Sequence, residues 1–281
     1  MFEVKASIVL YQNDYAQVLK AVTSFLDTDL KVKLILIDNS PTEELRTLEN
    51  IDDRVEYIFN KENIGFGPAH NIALRASIEE CAKYHLVLNP DVFFGPEVLP
   101  TIYSYLENNN DVGLVMPKVL NLDGSNQYLC KLLPTPANLF VRRFVPSFIP
   151  FTKKLDEKYE LRFWNYSNTA NIPSLSGCFM FLRVSALADI GIFDENIFMY
   201  MEDLDLTRRM HKKYRTMYFP EVEISHAHNR ESYRNYKLLL KHMQSAFYYF
   251  NKWGWFFDQN RKKINTNTLQ NLGFVKVQDS H

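Results

Sequence analysis

Five short apolar, β-branched runs mark the first 120 residues: ASIVLY at 6–11, KLILIDNS at 33–40, VEYIFN at 55–60, YHLVLN at 84–89 and VGLVMP at 112–117. Helix-length segments lie between them, at about 14–27, 42–50, 66–83 and 96–109. Strands that alternate with helices cannot pair as hairpins, and the pattern predicts a mainly parallel α/β sheet. The runs are almost continuously hydrophobic, as strands covered on both faces must be. The chain has 281 residues, 46% of them hydrophobic, enough for one large core or two small ones.

In sheets of this kind ligands bind beyond the carboxyl ends of the strands. Those ends carry Tyr11-Gln12-Asn13, Asp38-Asn39-Ser40, the stretch from Asn60 to Gly67, and Asn89-Pro90-Asp91. Turn formation alone favours Asn, Asp and Gly at such places, so a structural reading stands beside a functional one. Asp91, ending a buried strand, needs hydration, hydrogen bonds or a cation. Its oxygen chemistry suits Mg2+ or Mn2+, above all where phosphates supply the remaining ligands. NKENIGFGPAHN (60–71) sets two glycines before a predicted helix, where backbone N–H groups favour phosphate. It matches neither the dinucleotide fingerprint nor the P-loop.

Regularity lapses after residue 120. The stretch 133–154 holds four prolines, with aromatics and the basic pairs Arg142-Arg143 and Lys153-Lys154 around Phe144, Phe148 and Phe151. It resumes with SLSGCFMFLRVSAL (174–187) and RTMYFPEVEISHAH (215–228), and a last helix is predicted at about 234–252. Between them lies FMYMEDLDLTRRM (198–210). Acids in a first helical turn offset the dipole, and Asp205 can reach Arg208 or Arg209. The same stretch would also suit catalytic carboxylates. His226 and His228 close a strand on one face, where two imidazoles could serve as ligands.

Charge and cysteine content narrow the classes. The formal net charge of -1 argues against a general nucleic-acid binder. Three widely spaced cysteines form neither a disulfide framework nor a zinc pattern. MFEVKASIVLYQND lacks the apolar core of a signal peptide, and no apolar run approaches a membrane span. A cytoplasmic protein is expected.

The ordered set IVLY, LIDNS, NIGFGPAHN, LNPDV, SGCFMFLR, MEDLDLTRR and ISHAHNRES resembles the inverting family 2 glycosyltransferases of GT-A fold. It is most similar to their bacterial rhamnosyltransferase-like members, over most of residues 5–232. The resemblance implies a catalytic domain at 1–232, with a nucleotide-binding half to about 120 and an acceptor half beyond, then a helical extension at 233–281. It implies that Asp38 accepts the N3–H of uracil or thymine, Tyr11 lines the base pocket, and Asn63, Gly65 and Asn71 shape the diphosphate side. Asp91 stands where the family's Asp-x-Asp motif ends, Asn89 replaces the first Asp, and His226, rather than His228, matches the metal-associated His. Ser176 and Gly177 would lie against the sugars. Asp203 would be the general base, with neighbouring Glu202 raising its pKa by like-charge repulsion, while Asp205 is left to pair with Arg209.

The implied donor is a dTDP- or UDP-sugar, with rhamnose first and a hexose or galactofuranose second. The implied acceptor is a glycan or lipid-linked glycan. Trp253, Trp255, Phe256 and Phe257 beside Arg261-Lys262-Lys263 read as an interfacial anchor at the inner face of the cell membrane, with a homodimer contact as the other reading. Phe247 and Phe250 read as core. A non-catalytic sugar-nucleotide binder and a nucleotidyltransferase are the competing classes.

Overall fold

A computed structural model describes residues 2–139, 157–227 and 236–274. The basic and aromatic loop residues at 142–154, and His228, lie outside the described residues. The predicted strands form: β1 (Val4–Leu10), β2 (Val32–Asp38), β3 (Val55–Phe59), β4 (Tyr84–Leu88) and β6 (Val112–Leu120), with a short β5 (Val92–Phe94) between the last two. β7 (Ala170–Asn171), β8 (Phe179–Arg183) and β9 (Arg215–His226) complete a nine-stranded sheet among the described residues.

Strand order is β3-β2-β1-β4-β8-β6-β9-β5, with β7 also on β9. The first four strands are mutually parallel. β8 runs antiparallel to both β4 and β6. Most strands run in one direction and helices flank the sheet, as the resemblance to the GT-A fold implied. Its antiparallel β8 has one decisive effect: the start of β8 meets the end of β4, with Phe179 opposite Leu88. Residues 176–178 therefore arrive at the same edge as Asn89.

The helices are α1 (Tyr15–Leu26), α2 (Phe66–Glu79), α3 (Val98–Glu107), α4 (Val184–Ile190), α5 (Glu202–His211), α6 (Tyr236–Trp253) and α7 (Gln259–Asn271). Asp14 caps α1 by accepting from the Gln17 N–H at 3.0 Å. The helix expected at 42–50 is a 3-10 turn, Arg46–Ile51. Its two apolar anchors, Leu45 and Leu48, are three residues apart and both buried, a spacing that 3-10 geometry stacks directly. α7 lies beyond the last predicted helix. Its sequence, QNRKKINTNTLQN, has no apolar period; Asp258 caps it, and only Arg261, Thr268 and Leu269 are buried.

The central strand β1 carries Ser7 at zero exposure. Its hydroxyl bonds to His70 Nδ1 at 2.7 Å and His85 Nε2 at 2.8 Å, and His85 Nδ1 reaches the Ser77 hydroxyl at 2.7 Å. Burial drives both imidazoles toward the neutral form, His70 to a pKa of about 3. This Ser–His pairing is sealed inside the sheet–helix layer and serves the core.

Candidate active site

At the ends of β1 and β2 the chain builds two joined turns. Tyr11 is half exposed, and the Gln12 N–H donates to the Ser40 hydroxyl at 2.8 Å. Asp38 is fully buried. It accepts the Ser40 N–H at 2.7 Å and a hydrogen bond from the Tyr57 hydroxyl. Burial, then the carboxylate itself, push the Tyr57 pKa upward, so Tyr57 stays a donor. In this structure both oxygens of Asp38 order the turn, and the side chain has no solvent-facing edge for a base to meet. Nothing in the sequence around Tyr57 announced it, because a tyrosine in a strand is ordinary.

The neighbouring amides form a second network. Asn60 Nδ2 donates to Asn39 Oδ1 at 2.8 Å, Asn39 Nδ2 to the Gly65 carbonyl at 3.2 Å, and the Gly65 N–H to Asn63 Oδ1 at 3.0 Å. Gly65 has φ +98, and a Cβ there would stand 2.5 Å from the Phe198 carbonyl; only glycine fits. Asn71 departs from its expected role. It is fully buried, donates to the Phe193 carbonyl at 2.9 Å and to Glu195, and accepts the Phe193 N–H at 3.0 Å. Its amide is consumed in tying α2 to the segment that leads into α5, so it positions rather than touches a diphosphate.

Beyond β4, the Asn89 N–H donates to the Cys178 carbonyl at 2.9 Å. Asp91 keeps an open edge, with its side chain 16% exposed, and Oδ1 lies 3.3 Å from His226 Nε2. The two meet because β5 pairs with the end of β9. Gln127, which the sequence reading had not singled out, fixes the ring: Oε1 lies 2.9 Å from His226 Nδ1, and Nε2 donates to the His226 carbonyl at 2.9 Å. Burial works to lower the imidazole pKa, but Cys178 and Asp91 outweigh it and raise it to about 10. Among the described residues no three His, Cys, Asp or Glu side chains gather closely enough to hold a metal alone. A cation beside Asp91 must first displace the imidazole's proton; with that proton lost, the carboxylate and the oriented imidazole fit a divalent cation whose other ligands come from phosphate and water.

On the other side of residues 176–178 stands the first turn of α5. Asp203 Oδ2 accepts the Gly177 N–H at 2.9 Å, and Oδ1 the Leu204 N–H at 2.7 Å. A Cβ on Gly177 would come within 3.1 Å of Asp203 Cβ, so the glycine permits the approach. Ser176 is partly buried beside it. Asp203 is partly exposed, whereas Glu202 is buried and packs toward Gly67 of α2. Burial, then Asp203, raise the Glu202 pKa well above the carboxylate range. Its burial keeps the Glu202 carboxyl away from solvent, so of the two acids Asp203 is the accessible one.

The next turns of α5 are of another kind. Asp205, fully buried, pairs with Arg209 at 2.8 Å, as expected, and also accepts from Trp253 Nε1 and Lys252. Arg208, 1% exposed, pairs with Asp258 at 2.5 Å, donates to the Tyr249 hydroxyl at 3.0 Å and stacks on Trp253 at 4.2 Å. Trp253 is therefore engaged with α5, and Arg261 is buried against the carbonyls of Pro134, Gly254 and Trp255. Neither belongs to a free surface, and Phe247 is half exposed where core was expected; Phe250 is buried.

Comparison with known proteins agrees with this fold. The model of the family "Glycosyl transferase family 2" matches residues 7–191. An N-acetylglucosaminyl-diphospho-decaprenol L-rhamnosyltransferase of Mycobacterium tuberculosis is 27% identical over 216 residues, 72% of this chain and 68% of its own. The low-salt glycan biosynthesis hexosyltransferase Agl10 of Haloferax volcanii is 26% identical over 64% of this chain, a match that spans only 54% of Agl10. Among solved structures, GalNAc-T7 with UDP, GalNAc and Mn2+ superposes with a TM-score of 0.60 at 12% identity, over 82% of this chain and 44% of that one. An α/β sheet of this strand order, with carboxylates gathered at its strand ends and a family match across two thirds of its length, leaves one conclusion: the chain belongs to glycosyl transferase family 2.

Proposed function

We propose that the chain transfers a sugar from a nucleotide-diphosphate donor to a glycan hydroxyl with inversion, and that Asp203 is the general base. One observation carries the reading: residues 176–178 bridge the two halves of the site, with Gly177 holding Asp203 on one side and Cys178 bonded to Asn89, ahead of Asp91, on the other. Of the two acids that open α5, only Asp203 retains exposure. Its carboxylate, oriented by the Gly177 N–H, takes the acceptor proton as the new C–O bond forms and the bond to the diphosphate breaks, a role worth roughly 10²–10⁴ in rate.

Asp91 and His226 would hold a Mg2+ or Mn2+ ion, whose chemistry is to neutralise charge on the leaving diphosphate. Tyr11 and Asn63 flank the donor side, and Ser176 with Gly177 the sugar side. The donor we favour is dTDP-rhamnose, in keeping with the name of the mycobacterial relative; a UDP-hexose or UDP-galactofuranose is second. The acceptor is a glycan or lipid-linked glycan, and the catalytic unit extends to about residue 232.

Calorimetric titration with UDP, dTDP and their sugar conjugates, with Mn2+ and then with chelator, tests this. Binding of one conjugate that chelator weakens at least tenfold is expected. Equal binding with and without the ion removes Asp91 and His226 from the donor site, and no binding at all removes the transferase reading.

A further inference from the structure

The charge of the chain is unevenly placed. Residues 236–274 carry six Lys or Arg against one acid, Asp258, while the whole chain carries 32 against 33. That one acid is turned inward, 4% exposed, on Arg208. Of the six, Arg261 is buried and Lys252 is paired with Asp194 and Asp205, which leaves Lys241, Lys262 and Lys263 exposed among the described side chains. Lys262 and Lys263, in the first two turns of α7, are exposed and have no acidic partner among the described residues.

The turn between the two helices adds apolar surface at the same place. Phe256 and Phe257 are 79% and 98% exposed. Behind them Trp255 meets Phe247 edge-on and Phe250 at a tilt, with centroids 4.8 and 5.2 Å apart. Leu240 and Phe247, seven residues apart on one face of α6, are both about half exposed. The turn is held firmly: Gly254 at φ +100 donates to the Phe250 carbonyl at 2.8 Å, and buried Arg261 gathers the Gly254 and Trp255 carbonyls. Two adjacent phenylalanines kept in water by a rigid turn represent a standing hydrophobic cost.

We propose that this turn docks on an anionic lipid surface, with Phe256 and Phe257 entering the headgroup–acyl boundary and Lys262 and Lys263 meeting the phosphates. Aromatic insertion beside unpaired lysines is the chemistry of interfacial attachment, and each lysine near an anionic leaflet strengthens it. Apolar exposure alone would suit a second copy of the chain equally well; the net positive charge of this surface selects an anionic partner, since two copies would bring like charges together. Because Asp258 follows Phe257 directly and pairs with Arg208 of α5, the docked turn is fastened to the helix that carries Asp203. The proposal does not depend on the transferase reading, because its test uses no donor.

The test is flotation of the full chain with phosphatidylcholine vesicles, with and without phosphatidylglycerol, at low and high salt. The wild type is expected to float with the anionic vesicles at low salt and to be released by salt. Phe256→Ser with Phe257→Ser should weaken binding at least tenfold without lowering the melting temperature, since neither ring is packed. Lys262→Glu with Lys263→Glu should do the same on anionic vesicles. Failure of the wild type to float, or undiminished flotation of the phenylalanine variant, overturns the proposal. So does a dimer in solution, measured by light scattering, that the phenylalanine variant converts to monomer.

Discussion

In the first turn of α5, Glu202 is buried without a cation among the described residues, and Asp203 keeps an open edge against Gly177. One turn later Asp205, Arg208 and Arg209 are each met by opposite charge and by hydrogen bonds. The same helix thus runs from charge left open to charge fully neutralised. A buried pair contributes little net stability against an apolar replacement, but it is intolerant of losing one member. Asp203 holds two backbone N–H groups and is still partly exposed, so it can meet a substrate. On the proposed function, position along ten residues separates reaction from architecture.

The comparison breaks most sharply at the end where we place the base. Asp203→Asn should lower transfer by about 10²–10⁴ while donor binding, read by calorimetry, stays within twofold; a rate within tenfold of wild type would hand the base role to another group. At the architectural end the effect moves from rate to stability. Arg208→Ala leaves buried Asp258 with only the longer 3.9 Å pair to Arg261 and its cap on the Arg261 N–H, and urea unfolding should show a loss of about 3–5 kcal/mol. Arg208→Met with Asp258→Asn keeps the α7 cap, removes the stranded charge and should recover most of that loss. Equal instability of the single and double variants would show that packing on Trp253, and not charge, sets the cost.

Glu202→Gln has the smallest effect and sharpens the contrast by its pH dependence. The folded pKa of Glu202 lies above the unfolded value, so the folded state binds the extra proton. Its contribution is complete below the unfolded pKa of 4.5 and is lost as pH rises toward the folded one, at about 1.4 kcal/mol per pH unit. The glutamine variant, neutral throughout, should lack that slope in melts taken from pH 4.5 upward and match or exceed wild type at neutral pH. An unchanged slope would mean that Glu202 ionises in the folded protein.

Much of this was readable before any coordinates. The β-branched runs predicted all five long early strands, since period and length fix a buried parallel strand. Asp91, His226 and Asp203 were singled out by motif; in the structure Asp91 lies 3.3 Å from His226, and Asp203 accepts the Gly177 N–H. What escaped reading was held by partners far along the chain. Tyr57 over Asp38 and Gln127 on His226 are 19 and 99 residues from the groups they orient. Asn71 looked like a phosphate contact because a helix start invites one, yet its partners lie 122 residues away. α7 has no apolar period to detect; a cap and buried Arg261 hold it instead.

The spacing within α5 has its own consequence. Asp203 and Arg208 are five residues apart, and at about 100° per residue they project roughly 140° from one another. One deletion or insertion between them would turn either group by about 100°: with the arginine still seated on Asp258, the base would point away from Gly177, and with the base in place, a guanidinium would face the wrong side. Substitutions in this helix can be absorbed singly, but a change of length cannot. The phase of α5 is therefore expected to be the most length-invariant feature of the chain.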